Sequence, residues 1–270
     1  MRWIKWAAGL FVLLTCSLAS LSVAKVRAVL FSGGVSPETR GWQVATQLGC
    51  FQCHGWEGLG GLPNPGASTV PGFQDFNFLM SIYSESELEA WILDGAPARL
   101  DRSADPGRVL EMPGYRGRLN EGQLKDLKTY FQGVSGMVFP QEARAAEGFE
   151  IAKRKGCFGC HGVGGRLDIP NKGSLVGRIP AWTGPDFPEL VQSDEELRFW
   201  ILKGLPTRLE TNRMAQYFLK RQTLKMPAYE GFLSESDLQA IMAYIHWLRD
   251  ASLPGHYPKY GQPDNFFIEE

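Results

Sequence analysis

The sequence lacks an excess of charge of either sign and has few histidines and cysteines. Its 28 Lys and Arg residues face 29 Asp and Glu residues, which gives a net charge of −1. A nucleic-acid-binding protein is expected to be basic, so this balance argues against that class. Hydrophobic residues make up 44% of the chain, which is more than disordered proteins contain. Its 270 residues suffice for one large or two small globular domains.

One long uncharged run stands at the amino terminus, over residues 6–24, between basic flanks. This pattern is typical of an export signal, and Ala19 and Ala24 end short small-residue cleavage sequences. Because the run has 19 residues, it is also close to the length that spans a bilayer. Residues 1–25 are therefore expected to be either a cleaved signal peptide or a membrane anchor helix. Both alternatives place the remainder of the chain outside the cytoplasm.

The two halves of the chain are similar to each other. Three blocks match in the same order, and in the first block 12 of 26 aligned residues are identical. Such collinear self-similarity indicates two copies of one domain. We expect a first domain at 26–135, a linker at 136–146, a second domain at 147–250 and an extended tail at 251–270. The matching blocks are 41–66 with 148–173, 87–100 with 196–209, and 112–130 with 226–244.

Four of the five cysteines lie in two Cys-x-x-Cys-His motifs, one in each copy, and the fifth lies in the apolar leader. This spacing is typical of covalent attachment of a c-type haem. The two thiols add across the vinyl groups, and the adjacent histidine is held beneath the iron as its proximal ligand. The sequence therefore predicts two haem c groups, and export agrees with this because c-type haem is attached after translocation. The motifs are Cys50-Phe-Gln-Cys53-His54 and Cys157-Phe-Gly-Cys160-His161.

Two other interpretations of the cysteine pairs are possible. A thioredoxin-like dithiol needs a β-α-β setting, and it explains neither the adjacent histidine nor the duplication. A structural zinc site would have to join both pairs in one four-thiolate centre, across 103 intervening residues. Both interpretations are weaker than haem attachment.

The sixth iron ligand decides whether a haem carries electrons or performs chemistry. Among the seven methionines, only Met112 and Met226 occupy matched positions, each before a proline and an apolar segment with helical periodicity. The proline keeps the methionine extended, so that its thioether can reach the iron. We expect the iron ligands to be His54 with Met112 and His161 with Met226, a pairing that saturates the iron and raises its potential. The alternative is that either methionine only fills a gap in the core.

The motifs and their order resemble a dihaem cytochrome c with two tandem class I cytochrome c domains, over nearly all of residues 38–250. The resemblance implies an all-α fold. In each copy, it places an N-terminal helix, the haem motif, a further helix and a Met-Pro pair before the C-terminal helix. It also implies that the first and last helices pack through glycine and aromatic residues, and Gly41 with Tyr130 and Gly148 with Tyr244 are similar to these.

The resemblance further implies a proline whose carbonyl accepts the Nδ1–H of the proximal histidine. Such a bond fixes the tautomer of the imidazole and raises its basicity. Pro63 and Pro170 are the expected counterparts of this proline. The alternative role for both is to turn the chain.

The loops that precede Met112 and Met226 are longer than those of common relatives, with 16 and 21 residues after the preceding glycines. We expect them to cover the haem edge on the methionine side. Arg99 and Arg208 stand at the start of these loops, and a guanidinium group can neutralise a haem propionate through a bidentate contact. An ordinary surface position is the alternative for both arginines.

Charge differs between the regions around the two motifs. Residues 149–180 contain six cationic residues against two acidic ones, whereas residues 42–73 contain Glu57 and no Lys or Arg. This asymmetry favours an acidic soluble partner at the second haem and an apolar, more permanent partner at the first. A solvated surface without a partner is the alternative.

Together, these features predict an electron-transfer protein rather than an enzyme. It would relay single electrons between a redox protein donor and acceptor, as a component of a bacterial respiratory or other redox complex. Subunits of a membrane complex and the membrane itself, through residues 6–24, are the other expected partners. The alternative is an enzyme resembling the bacterial dihaem peroxidases or the sulfur-compound dehydrogenases, which needs a displaceable sixth ligand at one iron and a nearby acid–base group.

Overall fold

The computed structural model describes residues 34–66, 69–74, 82, 84–100 and 109–251. The expected signal peptide or anchor and the tail after residue 251 lie outside these residues. Within the described part of the chain, no helix combines the length and apolar character needed to cross a membrane.

The fold is mostly helical, as expected, and each copy has the helix order that the resemblance implies. A two-residue antiparallel strand pair in the second copy is the main exception. The first copy contains α1 (Pro37–Leu48), α2 (Cys50–His54), α3 (Glu85–Asp94) and α4 (Glu121–Val134). The second copy contains α5 (Ala143–Arg154), α6 (Phe158–His161), β1 (Ile169–Pro170), β2 (Arg178–Ile179), α7 (Phe187–Leu190), α8 (Asp194–Lys203), α9 (Thr207–Glu210), α10 (Arg213–Arg221) and α11 (Glu235–Ala251). Since α5 begins at Ala143, it occupies part of the expected linker at 136–146.

Local sequence signals define the helix ends around the first motif. The Ser36 side chain accepts the backbone N–H of Thr39 and caps α1. Gly49 ends the same helix in the left-handed conformation, with φ of 76°. Cys50 therefore begins a new helix axis, and the haem motif turns away from α1.

The first and last helices of each copy cross at a glycine, as expected. A Cβ atom added to Gly41 would lie 2.1 Å from the Asp126 carbonyl oxygen and 2.6 Å from Tyr130 Cβ. At Gly148, it would lie 1.9 Å from the Ala240 carbonyl oxygen. Only glycine allows the two backbones to approach this closely.

Each crossing carries one hydrophobic core, formed mainly by the inner faces of the first, middle and last helices. The two copies pack against each other, because Leu167 of the second copy is 2% exposed and belongs to the core of the first copy. Residues of both haem motifs pack against these cores.

Candidate haem-binding sites

The histidine of each motif donates a hydrogen bond to a proline carbonyl. His54 Nδ1 lies 2.8 Å from the Pro71 oxygen, and His161 Nδ1 lies 3.1 Å from the Pro180 oxygen. Burial lowers the pKa of both imidazoles, and the carbonyl contacts oppose that shift. A neutral imidazole whose Nδ1 carries the proton presents the Nε2 lone pair to a metal, which is what a proximal haem ligand requires.

The expected positions of these prolines, Pro63 and Pro170, were wrong. Both lie on the outgoing arm of a short antiparallel turn, in a bridge or strand pair with the returning arm. The returning arm then brings Pro71 and Pro180 beneath the imidazoles. Sequence proximity favoured the first proline after each motif, but the hairpin brings a later proline next to the imidazole. A signal was present, because Pro71 and Pro180 are 109 residues apart, which is the offset of the second repeat block.

An aromatic ring follows each carbonyl-bearing proline and packs on the imidazole. The ring centroids of His54 and Phe73 are 4.9 Å apart, and those of His161 and Trp182 are 5.1 Å apart. Phe73 is 1% exposed, so it does not form part of the apolar surface expected around the first motif. These rings exclude water from the proximal side of both sites.

The thiol environments disfavour the alternative interpretations of the cysteine pairs. Burial raises the pKa of Cys50 to about 11 and also raises the pKa of Cys157. A redox-active dithiol depends on the opposite shift. In the part of the chain that the structure describes, which includes all four motif cysteines, no group of three or more His, Cys, Asp or Glu side chains could hold a metal ion. The two pairs are therefore not joined in one zinc centre.

In the second copy, Met226 lines the same cavity as Cys157, Cys160 and His161. Most of the cavity wall is apolar, which suits a porphyrin face. Met112 is half-buried at the matched position of the first copy. The residues present therefore fit haem c, while iron ligation by the two methionines stays a prediction.

A buried asparagine holds the chain just before each of these methionines. The Asn64 side chain donates to the Leu110 carbonyl and accepts the Leu110 N–H, both at 2.9 Å. Asn171 makes the same pair of bonds with Leu224, also at 2.9 Å. Neither asparagine was identified from the sequence, although the Pro-Asn pair is identical in the two copies. The repeat drew attention to the proline, whereas the side chain with the specific role is the asparagine.

A tyrosine holds the chain three residues after each methionine. The Tyr115 hydroxyl donates to the Leu48 carbonyl at 3.2 Å, and the Tyr229 hydroxyl donates to the Lys155 carbonyl at 2.9 Å. Both acceptors lie just before the motif cysteines. The chain is thus held just before and just after each Met-Pro pair. These bonds restrain the methionine sulfur relative to the haem motif.

We expect Asn171→Ala to loosen the methionine of the second site. The change leaves the Leu224 N–H and carbonyl without their partner, at a cost of about 1–3 kcal/mol in the free energy of unfolding. The sulfur-to-iron charge-transfer band of one ferric haem should weaken, and the ferrous protein should bind carbon monoxide at that haem. Asn64→Ala is the matched variant, with the same effects at the other haem. Loss of stability with both bands intact would show that the asparagines support the fold without holding the methionines.

The long loop of the second copy lines the cavity, while coverage of the haem edge stays a prediction. It folds into α9 and α10, and Leu209, Phe218 and Leu219 from these helices line the cavity. In the first copy, residues 101–108 of the matching loop lie outside the described residues.

The two arginines at the start of these loops bind carboxylates. Arg99 Nε lies 2.6 Å from Glu87 Oε1, and Arg208 Nε lies 2.7 Å from Glu196 Oε1. These matched pairs attach each loop to α3 or α8. Contact with a haem propionate stays a prediction for both arginines.

Two of the six cations expected around the second motif do not form a basic surface. Arg166 is 2% exposed and pairs with Glu38. Arg178 pairs with Asp168 and Asp186. The basic surface around the second motif is therefore smaller than the charge of the segment suggests. It is formed by Lys153, Arg154, Lys155 and Lys172.

Comparison with known proteins agrees with this geometry. The family model described as cytochrome c matches residues 38–135 and 145–249. The chain is 30% identical over 154 residues to cytochrome c oxidase subunit 2 of Alkalihalophilus pseudofirmus, a match covering 53% of this chain but only 39% of that protein. It is 25% identical over 200 residues to cytochrome c4 of Stutzerimonas stutzeri, covering 74% of this chain and 84% of that protein. No solved structure matches. The chain belongs to the cytochrome c family, as an electron-transfer protein with two tandem domains that each bind haem c covalently.

Proposed function

We propose that the protein relays single electrons between a donor and an acceptor redox protein, as a component of a bacterial respiratory or other redox complex. His54 and Met112 ligate the first iron, and His161 and Met226 ligate the second. The similarity to a cytochrome c oxidase subunit and to cytochrome c4 supports this placement. Export by the amino-terminal segment, cleaved or retained as an anchor, puts both domains on the extracytoplasmic side.

The observation that carries the proposal is the matched fixation of both Met-Pro segments. Asn64 and Tyr115 in the first copy repeat the bonds of Asn171 and Tyr229 in the second. A dihaem enzyme would need one iron whose sixth ligand leaves readily. Because both methionine loops are held alike, neither site is built for that exchange.

When bound, haem c supplies a one-electron iron couple at each site. The residues of this chain keep the surroundings of that couple constant. Pro71 and Pro180 hold the imidazole orientation, and Phe73 and Trp182 exclude water beside it. A dry, rigid pocket keeps the reorganisation of polar groups small when the charge on the iron changes.

The two domains offer different surfaces to partners. Trp56, Leu59 and Leu62 of the first domain are 74%, 54% and 47% exposed. They lie just after the first haem motif and suit an apolar partner, as the sequence asymmetry predicts. At the second motif, Lys153 and Arg154 are exposed at the end of α5 and suit an acidic partner.

The purified holoprotein tests the proposal. We expect its mass to exceed that of the polypeptide by two haem groups, and both ferric haems to be low-spin with sulfur-to-iron charge-transfer absorption. Carbon monoxide should not bind to either ferrous haem, because both irons are saturated. Rapid binding of carbon monoxide or peroxide at one haem of the native protein would favour the enzyme alternative instead.

A further inference from the structure

One peptide group links the proximal histidine of the second site to a buried carboxylate. The carbonyl of the Pro180–Ala181 peptide accepts His161 Nδ1–H at 3.1 Å. The N–H of the same peptide donates to Asp168 Oδ1 at 3.2 Å. A negative charge on the N–H side polarises the peptide, so its carbonyl becomes a stronger acceptor.

The same carboxylate is also bound by the first domain. Asp168 Oδ2 accepts the Ser36 N–H at 2.8 Å and the Thr39 hydroxyl at 3.0 Å. The Asp168 side chain is 2% exposed, and Arg178 Nε lies 3.2 Å from Oδ1. Asp168 therefore connects the start of α1 in one domain with the proximal histidine of the other.

We propose that Asp168 is a positioning residue that lowers the potential of the second haem through the Pro180–Ala181 peptide. The inference rests on the proposed ligation of the second iron by His161. A stronger acceptor at Nδ1 gives the imidazole more anionic character, which stabilises ferric over ferrous iron. The donors from Ser36 and Thr39 moderate this effect, so the docking of the first domain contributes to the potential of the second haem.

The first copy has no side chain at the position aligned with Asp168. Gly61 occupies the position aligned with Asp168. A Cβ atom at Gly61 would lie 1.8 Å from the Val70 carbonyl oxygen, so a side chain does not fit there. The two sites thus share the imidazole–proline bond but differ at this aligned position.

Asp168→Asn in the dihaem holoprotein tests the inference. We expect the second haem to become easier to reduce, which shifts the electron-sharing equilibrium between the two haems about tenfold, or about 59 mV for one electron. The potential of the first haem should stay unchanged. The His161 Nδ1 proton, followed by NMR, should exchange faster with solvent because its acceptor is weaker.

Asp186→Asn is the matched control. It removes the charge of a buried carboxylate that contacts the same Arg178, whereas the Ala181 N–H donates to Asp168 and not to Asp186. Equal shifts in both variants, or an unchanged Nδ1 exchange rate in Asp168→Asn, would overturn the inference.

Thr39→Val provides a second test if Asp168→Asn folds poorly. This variant removes the hydroxyl that donates to Oδ2, so more negative charge remains for the Ala181 contact. The second potential should therefore fall, opposite in sign to Asp168→Asn, and a rise would contradict the inference. The ligation proposal is judged separately, because it fails if the native second haem lacks the low-spin signature of histidine and methionine.

Discussion

Replacing Met226 with histidine is expected to lower the potential of the second haem by on the order of 0.1 V, within the roughly 0.8 V range that axial ligands control. The sulfur-to-iron charge-transfer band of that haem should disappear. Thioether sulfur favours ferrous iron more than a second imidazole does, so the loss of sulfur stabilises the ferric state. Spectroelectrochemical titration of the holoprotein measures both effects.

The same loop offers a matched control. Met214 lies on α10, is 62% exposed and has no counterpart in the first copy. Met214→His should leave both haem potentials unchanged, while Met112→His should repeat the effect at the first haem. If Met226→His left the band and the potential intact, Met226 would be a packing residue of the cavity wall.

Features with a strict local or repeated signature could be predicted from the sequence. The Cys-x-x-Cys-His motifs follow from residue types whose spacing leaves few alternatives, whereas the helix order and the glycine crossings were implied by the resemblance to tandem cytochrome c domains. Leu127 and Tyr130 in α4, with 1% and 0% exposure, occupy the buried face that the periodicity predicts.

Features that depend on loop conformation could not be predicted in the same way. The bonds of His54 and His161 to Pro71 and Pro180 form only because a hairpin returns the chain, and 17 or 19 residues separate the partners. A family likeness supplied the bond type but not the loop length. The role of Asn171 depends likewise on a contact with Leu224, 53 residues away.

The contacts between the two domains could not be predicted from the sequence either. Arg166 follows the second motif in a cationic segment, and its charge suggested a surface residue. Its partner Glu38 lies 128 residues earlier, in the first turn of α1. No periodicity or repeat connects these two positions, because the aligned residue of the first copy is Leu59.

Glu38→Gln is expected to destabilise the two-domain unit by about 3–5 kcal/mol, because it leaves a buried arginine without its counter-charge. Glu38 and Arg166 are 1% and 2% exposed, with 3.0 Å between Oε1 and Nη1. Arg166 Nη2 is buried and has no hydrogen-bond partner among the residues that the structure describes. Nη2 therefore makes no bond that could compensate for the lost ion pair. Thermal and urea unfolding of the holoprotein would measure the change.

Two controls distinguish the effect of leaving a buried charge unpaired from the effect of removing an acidic residue anywhere. One is a variant of a surface ion pair, and the other is a double variant of the buried pair. Lys203 and Glu230 are 46% and 61% exposed, so Glu230→Gln should cost about 0–1 kcal/mol. Replacing Glu38 and Arg166 together with methionine should recover much of the stability, because no uncompensated charge remains. A Glu38→Gln variant as stable as Glu230→Gln would mean that water reaches Arg166 and that the interface opens. Since Ser36 and Thr39 of the same helix start bind Asp168, such opening would also change the electrostatic surroundings of the second haem.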